Sequence, residues 1–281
     1  MDRSTTTLVD GLAFAEGPRW HDGRLFFSDM HRDRVMAVDA DGRLEEIAHV
    51  EGQPSGLGWL PDGRLLVVSM TDRRLLRLDP GGLSEAADLS GLAAHPCNDM
   101  VVDAQGRAYV GHFGYDMFGG GSPAPASLIL VQPDGEVGVA ADELQFPNGV
   151  VITPDGGTLI VGESMGARLT AFDVAADGSL SNRRVWAALE GAVPDGICLD
   201  AEGAVWVASP MSSEVLRVAE GGEVLARVPT DQLAIACMLG GDDRRTLFIL
   251  TTTSVEREEC QAQRPARIET VTVEVPGAGL P

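Results

Sequence analysis

The sequence predicts an all-β chain folded as a six-bladed β-propeller, read as a single domain over residues 1–281. Three observations carry this prediction. One local pattern recurs along the chain: a polar residue set in a turn, a short apolar run, an Asp/Glu-Gly turn, and a second apolar run. The copies are spaced roughly 40 to 50 residues apart, the period of four-stranded units arranged radially. After most copies comes a further run of period-2 character and a Gly-containing turn, which brings each unit to four strands. A β-sandwich is the competing arrangement, but it gives no reason for a polar residue to recur before the first strand of each copy.

In chain order, the β-branched start Thr5-Thr6-Thr7-Leu8-Val9 is expected to pair with the last blade, so that no long edge strand stays open. The first copy runs Ala15-Glu16-Gly17-Pro18-Arg19-Trp20, His21-Asp22-Gly23 and Leu25-Phe26-Phe27. The second is Pro54-Ser55-Gly56-Leu57-Gly58-Trp59, Pro61-Asp62-Gly63 and Leu65-Leu66-Val67-Val68. The third begins at Cys97-Asn98-Asp99, the fourth at Phe146-Pro147-Asn148-Gly149, and the fifth at Val193-Pro194-Asp195-Gly196. A degenerate sixth copy contains Cys237-Met238-Leu239-Gly240 and Thr246-Leu247-Phe248-Ile249-Leu250. The alternating run at 267–275 is the expected neighbour of the N-terminal strand, and 276–281 is a breaker-rich tail. Two stretches interrupt the repeat. Residues 113–126 are too rich in Gly and Pro for a strand yet carry Phe113, Tyr115, Met117 and Phe118, which reads as a lid over a site. Residues 254–265 read as a solvated loop.

Composition narrows the function. A net charge of −21 argues against nucleic acid, which needs a basic surface, and against anionic membranes. No tract of 18 apolar residues occurs, so no membrane-spanning helix is expected. The N-terminus lacks an apolar stretch of signal-peptide length, and the reading is cytoplasmic. Cys97, Cys198, Cys237 and Cys260 show no CxxC spacing and read as reduced thiols, with Cys97 and Cys237 as small apolar packers.

In a propeller the first strand of each blade lines the central channel, so residues at its entrance converge on one mouth. Here these are Glu16, Ser55, Asn98 with Asp99, Asn148, Asp195 and, in the sixth copy, Ala236-Cys237. Carboxylate and amide oxygens converging without a Lys or Arg suit a hard divalent cation. Asn and Asp before Gly also make ordinary turns. Glu16 is no turn former, and the recurrence at equivalent positions favours a site.

These segments resemble the signature segments of the SMP-30/gluconolactonase/luciferin-regenerating-enzyme family. The resemblance rests on Ala15-Glu16-Gly17-Pro18-Arg19-Trp20, Asn98-Asp99, Phe146-Pro147-Asn148-Gly149 and Pro194-Asp195-Gly196, in order, and extends over essentially the whole chain. It implies one divalent metal in the channel, calcium foremost, with magnesium, manganese or zinc as alternatives. Carried over by motif, Glu16, Asn148 and Asp195 match the metal ligands, Asp195 also the general base, and Asn98 a residue touching substrate. Asp99, His112, Tyr115, Met117 and Phe118 complete the expected substrate contacts. One departure matters: sugar-lactone-hydrolysing relatives often carry Arg two residues before the Asn98 equivalent, where this chain has Pro96. The expectation is a metal-dependent lactonase acting on a small-molecule lactone or ester less polar than gluconolactone.

Other chemistries are weaker. No HExxH motif occurs, Gly162-Glu163-Ser164-Met165-Gly166 has the Gly-x-Ser-x-Gly spacing but reads as a strand-end turn, and among His21, His31, His49, His95 and His112 only the last two fall near the mouth. Phosphotriester hydrolysis, or a biosynthetic isomerisation or cyclisation, could use the same metal site, and a non-catalytic binding propeller is the remaining alternative. The sequence leaves the oligomeric state open.

Overall fold

The computed structural model describes residues 4–117 and 119–280. Among them are six four-stranded antiparallel sheets, the blades of a propeller. Their innermost strands are Ala15–His21, Pro54–Trp59, Cys97–Val102, Pro147–Ile152, Ile197–Leu199 and Leu233–Gly240, in blades 1 to 6. Each packs on the innermost strand of the next blade, and the sixth packs on the first, which closes the ring. Closure is also made by hydrogen bonds within a sheet: the first strand of the chain, Thr6–Leu12, pairs antiparallel with the last, Ala266–Thr272, inside blade 6. The expected pairing of the chain ends is borne out, with the C-terminal strand starting one residue before its alternating run and ending three residues short of it.

Burial follows strand position. The innermost strands of blades 3 and 4 are buried along their whole length, which is why they read as apolar runs after their polar first residues. Outermost strands such as Leu44–His49 and Val224–Pro229 alternate and face solvent. Side chains fill the spaces between blades, with Trp206 and Tyr109 among the largest that are fully buried. All four cysteines are free, as expected, and buried. No helix among the described residues is long and apolar enough to cross a membrane.

One expectation is corrected. Residues 254–265 are not simply a loop: Arg257–Gln263 forms a short α-helix. Cys260 is its one buried residue, fixed by a bond to the Ser254 carbonyl, so a single apolar contact anchors an otherwise charged turn.

The end of the ring that receives the 1–2 hairpins is crossed by the tail. Gly277 N donates to Arg244 O at 2.8 Å, Ala278 N to Leu199 O at 3.0 Å, and Leu280 exchanges two bonds with Ile152 at 2.8 and 2.9 Å. The tail therefore ties blades 6, 5 and 4 together at the end opposite the polar strand entrances. Gly279 fits there because a Cβ would lie 2.5 Å from the Ile152 carbonyl.

Close approach of the innermost strands is a testable constraint. A Cβ on Gly149 would stand 2.6 Å from both Asp195 O and Ile197 N in the next blade. Overpacking of this kind costs about 1–3 kcal/mol. Gly149→Ala is expected to lower Tm by about 2–5 °C, whereas Gly138→Ala, which meets nothing within 4 Å, stays within about 1 °C of wild type. Thermal unfolding of the two variants checks this.

Candidate functional site

The strand register brings the polar entrances together. Ala15, Pro54, Cys97 and Pro147 pair with the last residues of their neighbouring strands, and the next residues are Glu16, Ser55, Asn98 and Asn148. Asp195 takes the same place in blade 5, its N–H bonded to Ala208 O at 3.0 Å. The inter-blade bond from Gly149 N to Asp195 O is repeated from Gly196 N to Ile235 O. Ile235, not Ala236 or Cys237, is thus the sixth member of the circle. The sequence reading slipped by one because the strand is irregular between Ala234 and Ala236.

Two of the three expected ligands carry buried oxygens with no hydrogen-bond partner, Glu16 Oε2 and Asn148 Oδ1. Such atoms cost about 1–3 kcal/mol each unless something occupies them. Asn148 is oriented through its nitrogen: Nδ2 donates to Ser164 Oγ at 3.2 Å, and Ser164 Oγ donates to Pro194 O at 2.6 Å. The amide also bonds to the Asp195 carboxylate, and the Glu16 and Asp195 charges act on each other. Among the described residues no three His, Cys, Asp or Glu side chains form a ligand cluster. The group here is two carboxylates and an amide, an oxygen-only set that fits a hard divalent ion. Ser164, which fixes the amide, was not among the expected site residues; its signals are its place after the second strand of blade 4 and the flanking Gly162 and Gly166, a segment that reads as a strand-end turn.

Arg19 corrects the expectation that no cation enters the circle. Its guanidinium is buried and donates to Asp99 Oδ1 and Met100 O at 2.5 Å, Leu57 O at 2.9 Å and Pro18 O at 2.8 Å. Asp99 is therefore engaged by Arg19 and by the Met100 N–H, and is not free as a substrate contact. Its alternation with Asn98 turned it from the mouth toward the channel interior. Burial raises the Glu16 pKa well above the usual carboxylate range, with Asp195 and Asp99 adding to the rise and Arg19 opposing it. Burial likewise raises Asp195, to about 7, against the bond from Asn148. Arg19 is paired with Asp99, so the Glu16 and Asp195 carboxyls have no cationic partner of their own, and a divalent cation is the charge that would favour their ionised forms.

The remaining expected contacts divide. Asn98 is buried beside Ser55, whose hydroxyl donates to Asn98 Oδ1 at 3.4 Å. His112 has both ring nitrogens engaged: Nδ1 accepts from Gly114 N at 3.2 Å, and Nε2 lies 3.0 Å from Ser127 Oγ. It holds together the two ends of the 113–126 connection, and burial lowers its pKa to about 4, so the ring stays neutral. Tyr115 is buried against Phe146, at 6.1 Å between ring centroids, while Met117 is exposed. Phe118 lies outside the described residues. Burial pushes the Cys97 thiol up to about 12, which removes it as a nucleophile.

Residues 14–253 match the family model described as the SMP-30/Gluconolactonase/LRE-like region. The chain belongs to this family. Among its relatives, 6-deoxy-6-sulfogluconolactonase of Pseudomonas putida is 28% identical over 269 residues, covering 92% of this chain and 89% of that protein. Regucalcin of Danio rerio is 32% identical over 176 residues, covering 60% of this chain and 58% of that protein. The fold agrees with a calcium-binding protein, regucalcin, from Agrobacterium tumefaciens, at a TM-score of 0.83 and 21% identity, covering 99% of this chain and 97% of that one. The six-bladed architecture expected from the repeats is that of the family.

The two raised carboxylates fix a sign for stability. Each prefers its protonated form in the fold, so ionising it costs the metal-free protein stability. That stability is fully present below the unfolded carboxylate pKa near 4 and is lost as pH rises toward the Asp195 value of about 7. Calcium at a hundredfold excess over Kd stabilises by about 2.7 kcal/mol, or about 5 °C in Tm for a chain of this length. This shift should grow from pH 5 to pH 8. Glu16→Gln should raise the metal-free Tm at pH 8 and reduce the calcium-induced shift. Scanning calorimetry with and without EDTA measures both.

Proposed function

We propose that this protein is a divalent-metal-dependent lactonase whose substrates carry fewer hydroxyls than gluconolactone. The observation that carries the reading is the pair of unpartnered buried oxygens, Glu16 Oε2 and Asn148 Oδ1, beside the Asp195 carboxylate. Family membership and the sulfogluconolactonase relative support ring-ester hydrolysis. The oxygen-only donors favour calcium, magnesium or manganese over zinc, and the calcium-binding regucalcin of the same fold supports calcium.

Glu16, Asn148 and Asp195 would hold the ion, which supplies Lewis-acid polarisation of the substrate carbonyl and a lowered pKa for an attacking water. Of the three residues Asp195 is the least buried, and its carboxylate lies beside the Asn148 amide. Asp195 takes one proton from that water as the new C–O bond forms, then returns it to the ring oxygen as the ester C–O bond breaks. The product is the open hydroxy acid, and Asp195 is again a carboxylate as soon as the ring oxygen has taken the proton; the acid then releases its own proton to solvent. With Asn98 Oδ1 occupied by Ser55, its Nδ2 remains to donate to a substrate oxygen. Glu16 and Asn148 move no proton.

Pro96 supports the less polar substrate. Its carbonyl accepts the Phe113 N–H, and its ring offers no donor where an Arg would present several.

Two expected outcomes test the reading. Asp195→Asn lowers kcat by roughly 10²-fold or more at saturating metal, whereas Glu16→Gln mainly raises the metal concentration for half-maximal rate; full turnover by Asp195→Asn would remove its role as base. Wild type hydrolyses a simple alkyl lactone about ten- to a hundredfold more efficiently than gluconolactone, the worth of a charge-assisted bond of about 1.5–3 kcal/mol. Pro96→Arg recovers part of that difference, and EDTA abolishes all turnover.

A further inference from the structure

Ser164 marks where the channel wall is. Its hydroxyl touches the Asn148 amide and the Pro194 carbonyl, and its N–H bonds to Phe146 O at 3.0 Å. The same backbone bond recurs from Met30 to Phe14 at 2.9 Å, Met70 to Gln53 at 2.9 Å, and Phe113 to Pro96 at 3.1 Å. Met30, Met70 and Phe113 therefore occupy the corresponding wall positions of blades 1 to 3. They belong to one buried apolar cluster with Phe14, Phe146 and Ile235.

Two polar side chains beside this wall are already engaged. Gln53 bonds to His31 at 3.2 Å, and His112 is bonded within its own connection. The wall offers hydroxyls little to bond and closes the mouth over blades 1 to 3, leaving Glu16, Asn98 and Asn148 only 3–5% exposed. The opening lies where Asp195 is partly exposed, toward blades 4 and 5.

Exposed large apolar side chains follow the same geometry. Leu44, Val139, Val185, Val224 and Leu225 lie on outermost strands. The others, Met117, Met165, Met211 and Val255, all lie in connections between second and third strands, which end at the mouth. Met165 directly follows Ser164 and is 49% exposed; Met211 is in the corresponding connection of blade 5 and is 77% exposed. These two flank the open side. Methionine, unbranched and polarisable, adapts to flexible apolar chains, and apolar residues gathered at one edge mark a binding surface.

We propose that the site takes lactones bearing a flexible alkyl chain, with the ring at Glu16, Asn148 and Asp195 and the chain leaving across Met165 and Met211. This rests on the lactonase reading and adds to it the substrate class and the residues that select it. The occupant is the substrate's own chain, since Met165 directly follows Ser164, whose hydroxyl bonds the Asn148 amide and the carbonyl of Pro194 next to Asp195.

The test pairs turnover with binding. For calcium-loaded wild type, kcat/KM is measured on γ-lactones with methyl, propyl, hexyl and decyl substituents. Full burial of a methylene is worth about fourfold; on a half-exposed rim about twofold per methylene is expected, carried by KM. The double variant Met165→Gln/Met211→Gln should lower kcat/KM on the decyl lactone at least tenfold more than on the methyl lactone. Val185→Gln, on an outermost strand, should leave the whole series unchanged. Calorimetric titration with the matching γ-lactams, which resist hydrolysis, should give the same chain-length trend in Kd and the same flattening in the double variant. Chain-length-independent kcat/KM and Kd would overturn the proposal, as would equal losses for methyl and decyl substrates in the double variant. Chain-dependent lactam binding without hydrolysis of any lactone would sustain the binding surface and overturn the lactonase reading instead.

Discussion

Everything at the centre of this propeller depends on one buried guanidinium. Arg19 starts in blade 1 and donates to the backbone of blades 2 and 3 and to the Asp99 carboxylate. It thereby fastens three innermost strands where no sheet hydrogen bonds join them. It is also the positive charge that makes a cluster of carboxylates tolerable in a low-dielectric channel, since it opposes the burial that drives Glu16 toward protonation. Removing one partner of a buried pair typically costs about 3–5 kcal/mol, because the other is left charged and unpaired. The metal-ligand geometry and the ring's cohesion are thus held by the same side chain.

The site has two characters on two sides. Toward blades 1 to 3 it is walled by thioether and aromatic side chains, with Phe113 and Phe146 stacked at 4.8 Å and 15°. Toward blades 4 and 5 it has the Ser164 hydroxyl, the Pro194 carbonyl and the partly exposed Asp195. Dry walls strengthen the electrostatic interactions of the oxygens beneath them, and the less buried side holds the one group proposed to move a proton.

Much of this was legible in the sequence, for a physical reason. A propeller repeats its local instructions, so Asn98, Asn148 and Asp195 announce themselves by recurring before an apolar run and a Gly turn. Glu16 stands out as a residue with no business in a turn. What stayed hidden was long-range or off-register. Arg19 looked like one more strand residue, because its partners lie 38, 80 and 81 residues away. Ile235 was displaced by an irregularity in its strand, which alternation cannot reveal. His112 was placed near the mouth correctly, yet its two nitrogens are spent on the ends of a connection whose closure only three-dimensional structure shows. The short helix at Arg257–Gln263 follows from one buried cysteine in a charged stretch, too slight a periodic signal to read.

The tail that crosses the opposite end of the ring bears on how molecules come and go. Its bonds to Arg244, Leu199 and Ile152 span blades 6, 5 and 4, and Arg19 spans blades 1, 2 and 3 by its bonds to Leu57 O and Met100 O. Tail and guanidinium between them bridge all six blades, an arrangement suited to a cup more than to a pipe. Whatever is consumed and whatever is released share a single door, so an opened product with a carboxylate of its own would leave past the next incoming molecule. Accumulated product would then compete directly with substrate, and the reaction would slow in proportion to its own success.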